Sequence, residues 1–514
     1  MVDKDQRAAK CGYCKPVLSE VATQTAGTCQ VCGPLAPCRW SAGTSAHRDA
    51  QYCEARHFTF GSGLPVGFAG FVLPIGNWTV SKPAIGRLLN RQLDAIVVGH
   101  PNAMPDYPRH LAASLRLALS DTPVVCILGP RQCGKTTLAR TLEPGYAYLS
   151  FDDAATLAFA QQDPTGFVAA LPERAILDEV QRVPELLRTL KLAVDRDRRP
   201  GRFVLTGSAN LLLLPKLGDS LAGRMEVLQL DPLTAAELAR KPGRFLAQLL
   251  AGELKPKLAA TTKGDSTDIA RRVVAGGFPE AVARTEVRAR AWHRSYLRTL
   301  LERDVQDVTR VRDVAMVGRL MELLALRTAE LLNVAGLSND LDMRRETVDR
   351  YLAVCERLYL IRRLPPWHRN EATRLIKTPK VHVLDSGLAA TLSGLGTADH
   401  NARRERFGHL LETYVVQQLM AQGACTDPDL RFWHYRDKDQ VEVDLVITKG
   451  RKTWGVEVKA GATAMPADGQ GLRRLADRAG RDWQGGVLLY AGQSAFPMDG
   501  AHDLAVPLTW LWDR

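Results

Sequence analysis

Hydrophobic patterning divides the chain into two parts. From Met104 onward, short apolar runs alternate with segments whose apolar residues recur at helical spacing, and short turns separate them. Strands that alternate with helices in this way are typical of an α/β domain with a parallel sheet. Residues 1–103 have few such periods and many Gly, Pro, Ser and Thr, so we interpret them as a poorly defined extension, with Met104 as an alternative start.

One apolar run leads directly into a glycine-rich loop. The run is VVCIL at 124–128, and the loop consists of Gly129, Pro130, Arg131, Gln132, Cys133, Gly134, Lys135, Thr136 and Thr137. A G-x-x-x-x-G-K-T loop between a strand and a helix directs backbone N–H groups and a helix amino end at phosphate. Lys135 is expected to reach the outer phosphates and Thr136 to offer its hydroxyl to Mg²⁺. The pattern therefore predicts an ATP site with Mg²⁺ as cofactor.

A second apolar run ends in two carboxylates. In AILDE, Asp178 is predicted to hold Mg²⁺, and Glu179 to orient and deprotonate the attacking water. A further strand at 202–206 ends in polar groups, of which Thr206 and Ser208 are expected to sense the γ-phosphate. Together these strand ends predict hydrolysis of ATP as well as binding.

Several segments carry a family resemblance: GPRQCGKTTLA, YLSFDD, AILDEVQRVPELL, RFVLTGSANLLLL and SLAGRMEVLQLDPLTAAEL. They resemble the prokaryotic AAA-type P-loop ATPases whose carboxyl half is the domain of unknown function DUF4143, and the resemblance extends over residues 104–514. It implies an ATPase core with an added catalytic glutamate, followed by a winged helix and a nuclease-like fold. It also implies that Arg224, in SLAGR, offers its guanidinium to a phosphate, in cis or to a neighbouring subunit, and the second case requires a homo-oligomer. A structural ion pair is the alternative.

The predicted fold class is therefore α/β, with a P-loop parallel sheet, a winged-helix segment and a carboxyl-terminal α/β nuclease-like domain. In chain order, the predicted segments are an extension at 1–103, the ATPase core at 104–240, a helical linker at 241–315, a winged helix-turn-helix at 316–370, and the nuclease-like domain at 371–514.

The segment 328–364 predicts the winged helix-turn-helix. Two helices separated by a polar turn precede a strand-like end, and the second helix carries Thr347, Arg350 and Tyr351 near its start. Such a helix can enter a major groove while Arg362 and Arg363 meet phosphate. A protein-packing role is the alternative, because acidic residues lie on the same helix.

The last group of candidate residues consists of three carboxylates and a lysine in the carboxyl-terminal part of the chain. An amphipathic helix at 407–418 carries Glu412, the strand at 441–447 carries Asp444, and the next strand places Glu457 and Lys459 on one face. Carboxylates that converge in this way bind Mg²⁺ and activate water, while Lys459 steadies a hydroxide or a phosphate. The pattern is similar to that of the PD-(D/E)xK nucleases. The alternative is an inactive nuclease-like fold retained for packing or nucleic-acid binding.

Composition narrows the partners and the compartment. The 514 residues carry a net charge of +12, which favours a polyanion such as nucleic acid, with DNA as the first candidate, although ordinary basic proteins share such values. A membrane partner is not expected, because no run approaches about 18 apolar residues. The ten Cys, without a secretion-type apolar segment, indicate a reducing cytoplasm.

Four of the cysteines form two C-x-x-C pairs, Cys11 with Cys14 and Cys29 with Cys32. Paired thiolates on two tight turns can hold zinc tetrahedrally, but their separation falls short of the usual zinc-ribbon spacing. Zinc is therefore one interpretation of this region, and the absence of a site is the other.

Two whole-protein hypotheses remain. The first is an ATP-dependent enzyme acting on nucleic acid through a Mg²⁺-dependent site at Asp444, Glu457 and Lys459. The second is a nucleotide-switched DNA- or protein-binding regulator whose nuclease-like domain does not cut.

Overall fold

The structure is a computed structural model that describes residues 107–208, 221, 223–258, 266–308, 313–369, 378–499 and 502–514, with the side chains of 304–308 left out. The extension at 1–103 and its candidate zinc ligands Cys11, Cys14, Cys29 and Cys32 lie outside these residues.

A five-stranded parallel sheet forms the amino-terminal half, in the order β2-β3-β4-β1-β5. Its strands are β1 (Val124–Leu128), β2 (Ala147–Ser150), β3 (Ala175–Asp178), β4 (Phe203–Gly207) and β5 (Met225–Gln229). Its helices are α1 (Leu111–Asp121), α2 (Lys135–Arg140), α3 (Ala154–Gln162), α4 (Pro164–Ala169) and α5 (Leu186–Arg196).

The central strands of this sheet are buried on both faces. Every residue of β1, β3 and β4 is buried, which explains why these strands are continuous apolar runs in the sequence. In β1 the side chains alternate between two cores, with Cys126 packed on one face and Val125 and Ile127 on the other. The predicted P-loop α/β fold is therefore confirmed.

Helices connect this sheet to the carboxyl half. They are α6 (Ala235–Leu238), α7 (Phe245–Leu250), α8 (Ser266–Ala275), α9 (Pro279–Val282), α10 (Glu286–Val308) and α11 (Val314–Leu326). None of the helices in the described parts of the chain combines the length and the apolar content needed to cross a bilayer.

A small sheet with two helices follows. It consists of β6 (Glu330–Leu331), α12 (Val334–Asp340), α13 (Arg345–Arg357), β7 (Ile361–Leu364) and β8 (Lys380–Val383), with β8 between β6 and β7. The two predicted helices are present, and the winged-helix interpretation stays a prediction. Of the side chains assigned to a DNA groove, Arg350 is exposed but Tyr351 is buried in the core.

The two arginines predicted to meet phosphate are paired inside the molecule instead. The Arg362 guanidinium donates to Asp231, and Arg363 lies 3.0 Å from Glu356. Both side chains are at least two-thirds buried, because they point from β7 toward neighbouring elements. Neither guanidinium is therefore presented to a DNA backbone, and that part of the prediction is wrong.

The carboxyl end forms a six-stranded mixed sheet in the order β13-β14-β12-β11-β10-β9. Its strands are β9 (Leu430–Arg436), β10 (Glu442–Lys449), β11 (Lys452–Lys459), β12 (Trp483–Tyr490), β13 (Phe496–Pro497) and β14 (Asp503–Pro507). Its helices are α14 (Ser386–Ser393), α15 (Asp399–Ala402), α16 (Arg404–Thr426), α17 (Gln470–Ala479) and α18 (Trp510–Asp513).

Helices cover both faces of this sheet. Leu445 and Ile447 of β10 join the large core that includes α16, while Val446 joins the core under α17. α17 packs closely at Gly455 of β11, where a Cβ atom would lie 2.7 Å from Leu472. The long helix α16 also contacts the amino-terminal half, because Gln418 and Gln422 accept hydrogen bonds from the backbone of residues 235 and 246. These hydrogen bonds join α16 directly to the segment that follows the parallel sheet.

Candidate functional site

The first candidate site is a cleft of about 590 Å³ at the carboxyl ends of the parallel strands. Among the side chains that line it are Tyr107, Arg109, Arg131, Gln132, Cys133, Lys135, Thr136, Thr137, Asp152, Glu179, Leu233, Pro279 and Glu280. All of the predicted phosphate-loop residues from Arg131 to Thr137 border this cleft.

The loop depends on its two glycines. A Cβ atom at Gly129 would lie 2.1 Å from the carbonyl oxygen of Leu230, so only glycine lets β1 leave the sheet at this point. Gly134 has φ +101°, a conformation that side chains rarely adopt. Lys135 begins α2, is buried, and donates from Nζ to the carbonyl of Pro130 over 2.8 Å. The ammonium therefore lies across the loop, at the place that the phosphates of a nucleotide would take.

Thr136 and Asp178, the two residues that the sequence assigns to Mg²⁺, are in direct contact, and their role as metal ligands stays a prediction. Thr136 Oγ1 donates to Asp178 over 3.0 Å, joining the first turn of α2 to the end of β3. Thr206 also donates to Asp178, and the hydroxyl of Tyr148 does so over 2.7 Å. Burial and the hydrogen bond to Asp178 raise the pKa of Tyr148 to about 12, so the phenol keeps its proton and remains a donor. Tyr148 was not predicted; its position in the strand YAYLSFD, beside β3, is the only sequence signal for it.

Glu179 follows Asp178 in the left-handed region, with φ +59°. Its carboxylate accepts hydrogen bonds from Ser208 Oγ, over 2.5 Å, and from Gln181, while its backbone N–H donates to Thr206. The structure thus places the hydroxyls of Thr206 and Ser208 on the two carboxylates, where they orient them. Their predicted contact with a γ-phosphate stays a prediction.

Arg109 is a site residue that the sequence did not reveal. Its guanidinium donates to the carbonyl of Cys133 in the loop and to the carbonyl of Asp231, both over 2.6 Å, and to Glu237 over 3.1 Å. It therefore ties the phosphate loop to the segment after β5. No motif marks it, because it lies outside the loop and before α1.

Arg224 lies at the wrong edge of the sheet for a role in its own subunit. It immediately precedes Met225, which pairs with Val124 at the amino end of β1. The loop leaves the other end of that strand, roughly 16 Å away for five extended residues. Arg224 forms a bidentate pair with Asp195, over 2.5 and 3.1 Å. The cis role is therefore wrong, the ion pair is present, and action on a neighbouring subunit stays a prediction.

The second candidate site is a cleft of about 780 Å³ in the carboxyl half. Glu412 of α16, Asp444 of β10, and Glu457 and Lys459 of β11 all line it. The helix and the two strands thus bring together the four residues that the sequence singled out.

The carboxylates of this cleft differ in how they are held. Asp444 Oδ2 accepts the backbone N–H of Val458 over 2.9 Å, and Glu457 Oε1 lies 3.3 Å from Lys459 Nζ. Glu457 Oε2 is buried without a hydrogen-bond partner. Burial raises the pKa of both Glu412 and Glu457 well above the ordinary value, so an uncompensated negative charge is costly here.

A lysine that the sequence did not reveal stands inside the cluster. Lys380 Nζ lies 2.8 Å from Glu412, 3.5 Å from Glu442 and 3.6 Å from Asp444. Burial lowers the pKa of this ammonium, but the three carboxylates raise it by more, and the net pKa is above the ordinary value. Lys380 is therefore charged.

The lysine decides the fit to a divalent ion. Within the parts of the chain that the structure describes, no three His, Cys, Asp or Glu side chains are arranged to hold a metal. The carboxylate oxygens of Glu412 and Asp444 face the Lys380 ammonium instead. In this arrangement the cluster does not fit the predicted Mg²⁺ at Asp444 and Glu457.

Three family models match successive segments of the chain. A family model described as an AAA domain matches residues 121–239, the domain of unknown function DUF8612 matches 266–399, and the domain of unknown function DUF4143 matches 407–511. Uncharacterized proteins of Mycobacterium tuberculosis and Mycobacterium bovis are each 30% identical over 445 residues, which is 84% of this chain and 90% of the relative.

Similar solved structures include two ATPases. The Holliday junction branch migration motor RuvB of Thermotoga maritima is 19% identical, with a TM-score of 0.24 over 56% of this chain and 90% of that one. A Walker-type ATPase of Pyrococcus abyssi is 15% identical, with a TM-score of 0.31 over 55% of this chain and 94% of that one. The family assignment rests on the family models and on the mycobacterial relatives. The chain belongs to the family of AAA-domain P-loop ATPases that carry DUF4143 at the carboxyl end.

Proposed function

We propose that the chain hydrolyses ATP in the cleft at the carboxyl ends of the parallel strands. The observation that carries the proposal is the contact between Thr136 and Asp178, 3.0 Å apart, beside the oriented carboxylate of Glu179. A phosphate loop alone binds nucleotide. A carboxylate on the adjoining strand end and a second carboxylate for water are what hydrolysis requires in addition.

Each side chain has a distinct part in this reaction. The backbone of the loop and the Lys135 ammonium bind the phosphates, and Tyr107, Leu233 and Pro279 offer apolar surface to the base. Thr136 and Asp178 would hold Mg²⁺, which when bound neutralises negative charge on the phosphate oxygens. Glu179 orients the attacking water and accepts its proton, and Ser208 and Gln181 fix the carboxylate for that task.

The test is steady-state phosphate release together with ATP binding. Glu179→Gln should retain ATP binding and lose about 10²-fold or more of the turnover, the usual contribution of a general base. Lys135→Ala should lose the binding as well. Glu185→Gln is the matched control, because Glu185 is an exposed glutamate that follows Glu179 in the chain, just before α5. Unchanged turnover in Glu179→Gln would contradict the proposal.

We further propose that the nucleotide state is transmitted to the carboxyl half. Arg109 bonds to the loop carbonyl of Cys133 and to Asp231, whose carboxylate accepts both 3.0 and 3.1 Å hydrogen bonds from Arg362 of β7. Because β7 pairs with β8, movement of the loop is felt at the strand that carries Lys380.

A second connection runs along the other wall of the cleft. The backbone N–H of Leu233 donates to Gly277, and the N–H of Gly277 donates to Asp385, each over 2.7 Å. Asp385 is fully buried and caps α14. Both connections support a nucleotide-switched protein.

Nucleic acid is the partner that we propose for this switch, on the basis of the net charge of +12. Two activities are open to it: binding alone, or Mg²⁺-dependent cleavage at Asp444, Glu457 and Lys459. Convergence of those residues in one cleft supports cleavage, whereas the Lys380 ammonium among the carboxylates supports binding alone, which is the function that we favour.

Labelled single- and double-stranded DNA and RNA distinguish the two activities. Each is incubated with Mg²⁺ or Mn²⁺, with and without ATP, and wild type is compared with Asp444→Ala and Lys135→Ala. Retention without cutting, changed by ATP in wild type but not in Lys135→Ala, is expected. Cutting that Asp444→Ala abolishes would establish the nuclease, and absence of both retention and cutting would remove nucleic acid as the partner.

A further inference from the structure

The carboxylate cluster already contains a cation that belongs to the chain. The Lys380 side chain is only 3% exposed, and its Nζ lies within 4 Å of Glu412, Glu442 and Asp444. These carboxylates come from α16 and β10, so the ammonium joins β8 of the small sheet to two elements of the carboxyl-terminal domain.

The position of Lys380 is fixed by the backbone. Lys380 pairs with Leu331 of β6 on one side and with Leu364 of β7 on the other, so it is held in the central strand of the small sheet. A lysine at an open edge can turn to solvent, but this one is directed into the cluster. Removing an ammonium from water is costly unless charged partners surround it, and the carboxylates supply that compensation.

One carboxylate oxygen of the cluster has no hydrogen-bond partner. Glu457 is 8% exposed, and its Oε2 has no hydrogen-bond partner although it lines the same cleft as Lys380. Hard divalent cations are bound by such carboxylate oxygens. This cluster differs from a metal site because the Lys380 ammonium already contacts its carboxylate oxygens. A divalent cation at the same place would be repelled by that positive charge.

We propose that the Lys380 ammonium is the resident cation of this cluster, that it excludes Mg²⁺ and Mn²⁺ from Glu412, Asp444 and Glu457, and that a neutral side chain at this position opens a divalent-cation site. The inference does not depend on ATP hydrolysis, because the residues of the cluster contact one another directly and the test below is made without nucleotide.

The test is titration of the full-length chain with Mn²⁺ in the absence of nucleotide, with free Mn²⁺ followed by electron paramagnetic resonance. The variants are Lys380→Met, which keeps the length of the side chain without its charge, the double variant Lys380→Met with Asp444→Asn, and Asp444→Asn alone. Lys459→Met is the matched control, because Lys459 contacts Glu457 but is 39% exposed.

We expect Lys380→Met to bind one Mn²⁺ more than wild type, and Asp444→Asn to remove no bound Mn²⁺ from wild type. The double variant should lose this ion, and Lys459→Met should not gain it. A failure of the ATPase proposal leaves these results unchanged, so the two proposals fail separately.

Wild-type protein alone can overturn the inference. If it binds a Mn²⁺ ion that Asp444→Asn abolishes, Lys380 does not exclude metal. A folded Lys380→Met that gains no ion contradicts the inference equally. Should Lys380→Met fold poorly, Mn²⁺ ought to raise its melting temperature and not that of the double variant, since a ligand stabilises the state that binds it.

Discussion

Ser208 has no part in the bonds that would change in the proposed hydrolysis, yet it fixes the carboxylate of the proposed base, Glu179. Its hydroxyl donates to Glu179 over 2.5 Å from the end of β4, and Glu179 itself is in the left-handed region. The bonds of the Glu179 side chain can rotate, so the direction of its carboxylate depends on such a hydrogen-bond partner. Orientation at this site is therefore shared between two strand ends.

We expect Ser208→Ala to lower kcat about tenfold, because a hydrogen bond to a charged group is worth roughly 1.5–3 kcal/mol. KM for ATP should change by less than about twofold, since the phosphates are bound elsewhere. Ser208→Thr should restore much of the rate, and Ser120→Ala, which removes an exposed hydroxyl on α1, is the control. Steady-state phosphate release measures both constants; an equal rise in KM alone would contradict the orienting role.

Tyr148 supports the other carboxylate. Tyr148→Phe removes a 2.7 Å donor to Asp178, so we expect about a tenfold rise in the Mg²⁺ concentration that half-saturates ATP turnover, as for other groups that orient a metal ligand. Tyr146→Phe is matched in chemistry, but its hydroxyl donates to Gly201 at the opposite edge of the sheet. The prediction fails if the two variants respond to Mg²⁺ alike.

At the scale of elements, β7 is joined to the ATPase half through one buried ion pair. Asp231 is 3% and Arg362 14% exposed at the side chain, so neither has water to replace its partner. The pair therefore fixes the small sheet against the segment after β5.

We expect Arg362→Met to destabilise the chain by about 3–5 kcal/mol, because it leaves the Asp231 charge buried without its ion-pair partner, although the amide of Gln229 still donates to it. The double variant with Asp231→Asn should lose clearly less than the sum of the single variants. Urea denaturation followed by fluorescence and circular dichroism measures these values. Strictly additive losses would show that the two side chains do not interact.

The elements also show what the sequence was able to predict. β1, β3 and β4 were predictable because complete burial makes them continuous apolar runs, and strand alternation was enough to bring Asp444 and Glu457 together. Lys380 was missed because its strand belongs to the small sheet and reaches the cluster only through tertiary packing. Arg362 was misassigned for the same reason: the sequence shows its positive charge but does not show that it pairs with the carboxylate of Asp231.

At the scale of the whole molecule, α16 connects both candidate sites. It presents Glu412 to the carboxylate cluster and, further along, Gln418 and Gln422 to the backbone of the ATPase half.

Buried histidines lie along the same interior. Burial and the nearby positive charges of Lys380 and Arg436 lower the pKa of His434 to about 3, although a hydrogen bond with the backbone of Thr378 acts in the opposite direction.

This histidine makes stability depend on pH. The unfolded chain takes up its proton near the ordinary pKa of about 6.5, whereas the folded chain does so only near 3. The contribution of His434 is thus complete above about pH 6.5 and is lost as the pH falls toward 3, at most on the order of 1.4 kcal/mol per pH unit.

We expect His434→Gln to flatten the fall in the free energy of unfolding between pH 6.5 and 4.5. His502→Asn is the control, because His502 is exposed. Urea titrations at several pH values give the slope, and an unaltered slope in His434→Gln would contradict the assignment.

Lys380 gives the carboxylate cluster a counter-ion that cannot leave. Domains held together by a bound metal come apart under chelators, because the ion dissociates and is captured. The Lys380 ammonium is covalently part of the chain, so it cannot diffuse away as a metal ion can. Its raised pKa keeps it charged across the physiological pH range. The carboxyl-terminal domain should therefore keep its fold in EDTA, and of the two clefts only the one proposed to bind ATP should respond to magnesium starvation.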